Sequence, residues 1–418
     1  MKQKLYFKTF GCRTNIYDTE LLKSYIKDYE IINDEKEANV IVVNSCTVTN
    51  GADSGTKAYI NSMQNKGVKI VFTGCGLELG KKMLDEGKIF GLLAPAKKAK
   101  INSLLLKNEK FLELGDLKFK DNALLNSFQA HTKAFVKIQE GCDFNCSYCI
   151  IPSVRGKSRS LDENYILKQC ELLLENGHSE LVLTGTNIGS YGLKEKSTLG
   201  KLLQKIFKLR GLKRLRLGSL EPSQIDESFK EILDESILER HLHIALQHTS
   251  DTMLKIMKRR SRLDEDKALF SFLKDKGFAL GTDFIVAHPG ESEAVWQEAL
   301  ENFKDFALTH IHAFIFSPRK DTASALMKND IEKNVAKQRL HTLRAIVKDN
   351  NYKFRQENKD KSLYVLIEQK KDGYFEGYDQ FYNKLKIKSE KNLEKTWLKL
   401  DKYEVLRDYN ENLGVNFE

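Results

Sequence analysis

Hydrophobic patterning divides the chain into three stretches. Up to residue 118, short continuous apolar runs alternate with segments of helical spacing. LYFKTFGC, VIVVNSC and KIVFTGC contain runs of the kind that strands buried on both faces require. TELLKSYIKDY and KAYINSMQNKG carry helical spacing, and GLLAPAKKAKINSLLL adds a last strand and helix. This alternation predicts an α/β unit, an open parallel sheet, over residues 1–118. Residues 119–133 are polar without a clear strand and read as a linker. From Ala134 the alternation restarts with AFVKIQEG, ELVLTGTNI, RLRLGSLEP, LHIALQH, DFIVAHPG and IHAFIFSP, separated by helix-like stretches. Six such units predict a partial (β/α)6 barrel over 134–355, with the charged helical stretch 331–358 closing it. Residues 356–418 change character. LYVLIEQ, YFEGYDQFYNKLKI, EKTWLKL and the terminal LGVNFE read as short strands with tight turns, which predicts a small all-β barrel.

Composition narrows the class. The 418 residues are 41% hydrophobic and 30% charged, which excludes disorder along the whole length. No apolar run approaches the ~20 residues of a membrane span, and Lys8 cuts short any signal-peptide core, so a cytoplasmic protein without a membrane partner is expected. The net charge of +10 admits a nucleic-acid partner. The excess lies outside the last stretch, where residues 351–418 hold 14 Lys/Arg against 13 Asp/Glu.

Seven cysteines are too sparse for a disulfide scaffold and point to metal ligation, catalysis or burial. Cys12, Cys46 and Cys75 each end a predicted strand. Loops beyond the carboxyl ends of an open parallel sheet line one crevice, so three thiols distant in sequence would meet there. The rival reading is three buried cysteines. Cys142, Cys146 and Cys149 form C-x3-C-x2-C directly after AFVKIQE. No adjacent fourth Cys or His completes a zinc set. An iron–sulfur cluster with one open iron is favoured over zinc, and both over a purely structural role. Cys170, inside the helix-like LKQCELLLEN, reads as core.

EGCDFNCSYCIIPSVRGKSRS, with the aromatic Tyr148 before the third cysteine, resembles the cluster loop of the radical S-adenosylmethionine superfamily. FGCRTNIYDTE, VNSCTVTN and TGC resemble the N-terminal segments of its methylthiotransferases, and GYFEGYDQFYNKLKI resembles their C-terminal TRAM domain, an RNA-binding β-barrel. The resemblance covers nearly the whole chain. It implies a 4Fe–4S cluster on Cys142, Cys146 and Cys149 that cleaves S-adenosylmethionine to a 5′-deoxyadenosyl radical. It also implies a second 4Fe–4S cluster on Cys12, Cys46 and Cys75, where sulfur is delivered. NSCTVT, LTGTNIGSYG and LGSLEPSQID follow the subfamily that modifies C2 of threonylcarbamoyladenosine at tRNA position 37. The alternatives are an isopentenyladenosine or ribosomal-protein aspartate substrate and, in another class, a non-enzymatic RNA-binding metalloprotein. The favoured reading requires the anticodon loop of tRNA, an electron donor and a sulfur source as partners.

Further residues are candidates for the cofactor. Thr184, Gly185, Thr186 and Asn187 follow the second barrel strand, the region that meets the S-adenosylmethionine amino group in the superfamily; an ordinary strand-ending turn is the alternative. Glu221, Gln247 and Asp283 lie at or near strand carboxyl ends, where a barrel places function; structural hydrogen bonds are the alternative. Pro289-Gly290-Glu291 reads as a turn with a carboxylate at a helix N-terminus. Arg155 and Arg159, and the run Lys258, Arg259, Arg260 and Arg262, are candidates for phosphate contacts. Tyr374, Phe375, Tyr378, Phe381 and Tyr382, interleaved with Lys384, Lys386 and Lys388, are expected to divide between stacking bases and filling a core.

Overall fold

The computed structural model describes residues 2–64, 66–121, 123–128 and 131–412. Its first sheet holds six parallel strands, β1 (Lys4–Thr9), β2 (Glu30–Ile31), β3 (Val40–Ser45), β4 (Lys69–Gly74), β5 (Gly91–Leu93) and β6 (Phe111–Glu113). Their order is β2-β1-β3-β4-β5-β6. Every residue of β3 is buried. Leu5, Val40, Val42 and Val71 pack into one core, and Ile41, Val43, Ile60 and Phe72 into another. Burial on both faces is why the strand sequence is continuous instead of alternating. The short β6 had no clear signal in the sequence. The first helix runs over Arg13–Ser24, beginning earlier than its apolar spacing suggests, because the buried side of its first turn is polar: Thr14 and Asn15.

The six expected central strands are all present, with one short addition. β7 (Ala134–Glu140), β8 (Arg159–Ser160), β9 (Glu180–Gly185) and β10 (Arg214–Leu217) form a sheet of order β10-β9-β7-β8, in which only the added β8 is antiparallel. β11 (His241–His243), β12 (Ala279–Val286) and β13 (His310–Ile315) form a parallel sheet beside it. Isolated parallel bridges Leu215↔Leu238 and Leu220↔Ile244 join the two. β8 and β13 are the free edges, so the barrel is open on one side. The helix Lys333–Glu357 packs along β12 and β13. The Arg13–Ser24 helix packs on β7 and β9, burying Tyr17 and Leu21 in the barrel core. Within the stretch read as a linker, described residues pack on the barrel. Leu125 and Phe128 join that core, and Gln169 bonds both backbone groups of Leu125.

The C-terminal strands are β14 (Leu363–Lys371), β15 (Tyr374–Tyr378), β16 (Lys384–Ile387), β17 (Trp397–Leu400), β18 (Glu404–Val405) and β19 (Asn410–Asn412). They form a curled sheet of order β17-β14-β15-β16-β19-β18, antiparallel except for the β16–β19 pair. The expected strand LGVNFE lies outside the described residues. This sheet closes the amino end of the barrel. Arg214 donates to the carbonyls of Tyr364 and Tyr378, Arg216 to that of Asp379, and the Arg240 amide to that of Gln380. The Trp397 indole donates to Ser179 at 2.8 Å. Arg216 is 1% exposed and lies between Glu180 and Glu239. Among the described residues, no helix is long and apolar enough to cross a membrane.

Candidate functional site

The loop 141–150 leaves β7 at the carboxyl end of the barrel, opposite the C-terminal sheet. Gly141 starts it at φ +74°, where a Cβ would sit 2.2 Å from the Lys157 carbonyl oxygen, so only glycine lets the chain turn there. The loop is then pinned on both flanks. The Gly141 amide donates to Thr186 Oγ1 and the Cys142 amide to the Gly156 carbonyl. On the far flank, Ser147 bonds the carbonyls of Met257 and Ile256, and its carbonyl accepts from the Ser324 amide. Arg260 lies over the Phe144 ring at 3.9 Å.

Polar hydrogens point at the loop's sulfurs. Cys142 Sγ accepts from the Phe144 amide at 3.4 Å and from Asn187 Nδ2 at 3.7 Å. Cys146 Sγ accepts from Arg259 at 3.7 Å. Burial pushes the Cys142 thiol up, and the Cys149 thiol up to about 12. Three soft sulfurs on one loop, supplied with N–H donors, form a donor set suited to an iron–sulfur cluster.

The second triple assembles as the sheet topology requires. β1, β3 and β4 are neighbours, and Cys12, Cys46 and Cys75 follow their carboxyl ends closely enough for Cys12 to act electrostatically on Cys46 and Cys75, and Cys46 on Cys75. Cys12 is the N-cap residue of the Arg13–Ser24 helix. Gly11 has φ +101°, and a Cβ there would lie 2.6 Å from Cys46 Cβ, so the FGC and NSC loops meet only through glycine. Burial pushes Cys46 up, and Cys75 up to about 11 against the pull of Arg155.

Arg155 joins the two sites. It ends the short helix that follows the 141–150 loop, and its Nε donates to Cys75 Sγ at 3.0 Å. Its other nitrogens reach Asp18 at 2.9 Å, Glu140 at 2.5 Å and Asn15 at 2.7 Å. Asp18 and Asp121 also bind Lys98 and Lys137, and Arg159 binds Glu140. Arg155 and Arg159 are therefore turned inward to carboxylates, away from any phosphate. Arg259 is likewise buried against Glu221 and the Ala245 carbonyl. Lys258, Arg260 and Arg262 stay exposed.

The other expected residues divide similarly. Thr186 and Asn187 hold the loop, and Asn187 is itself positioned by Gln139. Thr184 faces Thr14 of the first helix at 3.3 Å, and Gly185 lies against the Gln139 carbonyl. Gln247 adopts φ +69° beside β12, bridging to Phe284. Asp283 faces His243 and His312; burial raises its carboxyl, but the two imidazoles outweigh that and hold it well below the usual range. Glu291 does not serve a helix N-terminus. It is buried against Arg339 and His248, and Ser292 caps the following helix. Phe375 and Phe381 fill the C-terminal core. Tyr382 stacks on Tyr378 and His241 and carries Arg216 over its ring, so it wedges the C-terminal sheet into the barrel and does not await a base. Tyr374, with Lys386 and Lys388 over its ring, stays half-buried at the surface. Cys170 is buried, as expected. The sequence reading missed the histidines beside Asp283. HLH at 241–243 and HIH at 310–312 place alternate histidines on one strand face, a signal that period-two reading would have found.

Residues 4–90 match the uncharacterized protein family UPF0004, and residues 136–303 match the radical SAM superfamily. The chain is 47% identical to a Helicobacter pylori (strain J99) protein named "Putative methylthiotransferase", over 96% of this chain and 98% of that one. It is 32% identical to the threonylcarbamoyladenosine tRNA methylthiotransferase MtaB of Aquifex aeolicus, over 87% and 92%. It is 30% identical to the ribosomal protein uS12 methylthiotransferase RimO of Campylobacter jejuni, over 89% and 87%. In fold it resembles the radical S-adenosylmethionine methyltransferase TsrM of Kitasatospora setae. The TM-score is 0.58 at 14% identity, covering 78% of this chain and 77% of that one.

Proposed function

The chain belongs to the radical S-adenosylmethionine methylthiotransferases, and on that premise we propose that it methylthiolates C2 of N6-threonylcarbamoyladenosine at position 37 of tRNA. Membership makes it an enzyme that uses S-adenosylmethionine and a 4Fe–4S cluster. Cys142, Cys146 and Cys149 are the residues that hold this cluster, and Cys12, Cys46 and Cys75 hold a second one. Bound to the first triple, a cluster with one open iron supplies the reductive cleavage of S-adenosylmethionine that an inert C2–H bond demands.

The observation that carries the reading is Arg155. This residue belongs to the cysteine loop's own helix and donates to Cys75, which supports reading the two cysteine triples as paired radical-forming and sulfur-supplying sites. Two separate chemistries on one substrate atom need such fixed separation. Asn187 and Arg259 set the charge around the loop sulfurs, and Thr186 fixes the loop's start. Gly185, Thr186, Asn187 and Gln247 follow strand ends and form the S-adenosylmethionine cradle, with Glu221 fixed beside it by Arg259, while Thr184 packs behind them on Thr14. The target base leaves its stack to enter the open side of the barrel. The exposed Lys258, Arg260 and Arg262 meet tRNA phosphate at the anticodon loop. The reaction takes place in the cytoplasm and draws on an electron donor and a sulfur source.

Nucleoside mass spectrometry of tRNA from a deletion strain tests the substrate. Loss of the methylthio derivative of threonylcarbamoyladenosine supports the proposal, and an unchanged level refutes it. The ribosomal-protein aspartate is the second reading, favoured by the near-neutral C-terminal stretch and the RimO relative. Intact-mass analysis of ribosomal proteins from the same strain distinguishes it.

A further inference from the structure

His243, Asp283 and His312 come from three adjacent strands, β11, β12 and β13, and converge on the inner face of the barrel. One ligand atom from each lies within 4.8 Å of the other two, and among the described residues no other trio of His, Cys, Asp or Glu donors does so. We propose that these three residues bind a divalent transition-metal ion of the zinc class, at a site separate from both cysteine triples.

Register brings the trio together. Asp283 pairs directly with His312, and His243 pairs with Gly281, two residues before Asp283 on the same face. Gly281 makes room for the imidazole, because a Cβ there would lie 3.0 Å from His243 Nδ1. The separations are those of a coordination shell. His243 Nε2 is 3.2 Å and His312 Nδ1 is 3.5 Å from Asp283 Oδ1. Metal–ligand bonds of about 2.0–2.1 Å in tetrahedral array place donors roughly 3.3–3.4 Å apart.

Hydrogen bonding accounts for the contacts only in part. His243 Nε2 is buried 3.2 Å from Asp283 Oδ1, but no well-aligned hydrogen bond satisfies it. A buried ring nitrogen in that position can turn its lone pair to a metal ion instead. A supporting residue is also present. Ser219 Oγ donates to the other carboxylate oxygen, Asp283 Oδ2, at 3.3 Å, leaving Oδ1 free for the metal. Two imidazoles and one carboxylate suit zinc or a neighbouring first-row ion and leave at least one position open. The His312 side chain is 68% exposed, so that position is reached from the open side of the barrel and accepts water or an anionic substrate oxygen.

The proposal stands whichever substrate the enzyme takes. The test equilibrates reconstituted holoenzyme with Zn2+, removes unbound ion by gel filtration and counts zinc and iron separately by elemental mass spectrometry. Wild-type protein is expected to retain about one zinc per chain more than His312→Ala and Asp283→Asn, with equal iron in all three. Ser219→Ala is expected to weaken zinc binding roughly tenfold. His312 is exposed, so its loss leaves the fold intact, which circular dichroism checks. Equal zinc in wild type and His312→Ala, or no retained zinc in wild type, overturns the proposal.

Discussion

Replacing Arg216 with Met tests how the C-terminal sheet is held to the barrel. The side chain is fully buried, with Nε 2.8 Å from Glu180, Nη1 2.6 Å from Glu239 and Nη2 2.8 Å from the Asp379 carbonyl. Burial pushes the Glu180 carboxyl up, but Arg216 and then Arg214 outweigh it and hold it at about 2, from an ordinary 4.5. At about 1.4 kcal/mol per pH unit this corresponds to about 3 kcal/mol, shared between the two arginines. Glu239 keeps only the Leu217 amide once Arg216 is gone. Breaking a buried pair from one side costs roughly 3–5 kcal/mol. The first figure is an upper bound on Arg216's share through Glu180 and the second adds the stranding of Glu239, so Arg216→Met should lower stability by about 3 kcal/mol at pH 7. Trp397 donates to Ser179 and lies 4.7 Å from the Arg214 guanidinium, so it reports release of this seam. Urea unfolding followed by its fluorescence, in a Trp296→Phe background, measures the loss. The Glu180 value is depressed in the folded state. Its stabilisation is therefore complete above about pH 4.5 and disappears as pH falls towards 2, and the gap between wild type and variant should narrow over that window. Removing Glu239 as well, as Arg216→Met/Glu239→Gln, should recover most of the loss, because Glu180 keeps Arg214 and no carboxylate is left stranded. A single Arg216→Met variant within about 1 kcal/mol of wild type would refute the reasoning, as would a double variant no better than the single one.

Arg155→Lys keeps a charge but cannot serve Cys75, Asp18, Glu140 and Asn15 together. Reconstituted variant should lose iron from the N-terminal site and keep the other, read by iron content and by the spectra of each site in backgrounds lacking the opposite cysteines. Alanine at Cys142, Cys146 and Cys149 together should remove roughly half of the iron taken up on anaerobic reconstitution; full uptake would exclude these ligands. Asn187→Ala removes an N–H donor from Cys142 Sγ, so the midpoint potential at that site should become more negative in a spectroscopic titration. Burial lowers His310 to about 3. Being neutral when folded, it should cost stability as pH falls below about 6.5, at up to about 1.4 kcal/mol per pH unit. His310→Phe should flatten that slope in denaturation curves taken between pH 7 and 5.

Much of this architecture is legible in the chain because burial on both faces writes itself as apolar runs. VIVVNS and AFVKIQE announce β3 and β7, and the cysteines following such runs announce where loops converge. Charged residues are legible as charges but not as partners. Arg155 looks like a phosphate ligand until Asp18, far back in the sequence, folds against it. Tyr382 carries the composition of a base-stacking residue, yet its face is taken by His241, whose position depends on how one domain docks on another. Local pattern encodes strand and helix period. Which solvent-like residue is buried by a distant segment is a property of tertiary packing, and the inner-face trio on β11, β12 and β13 falls in that class.

The C-terminal sheet grips the amino ends of the barrel strands, and the cysteine loop leaves their carboxyl ends. β12 is eight residues long, and a strand rises about 3.3 Å per residue, so these two ends stand roughly 25 Å apart. Tyr382 and the buried arginines lock that separation. A nucleic acid held on the outer surface of the sheet must run this length along the open flank before a base turns inward. On the tRNA reading proposed above, the barrel wall would act as a ruler whose length in residues sets which nucleotide arrives at the cysteine loop.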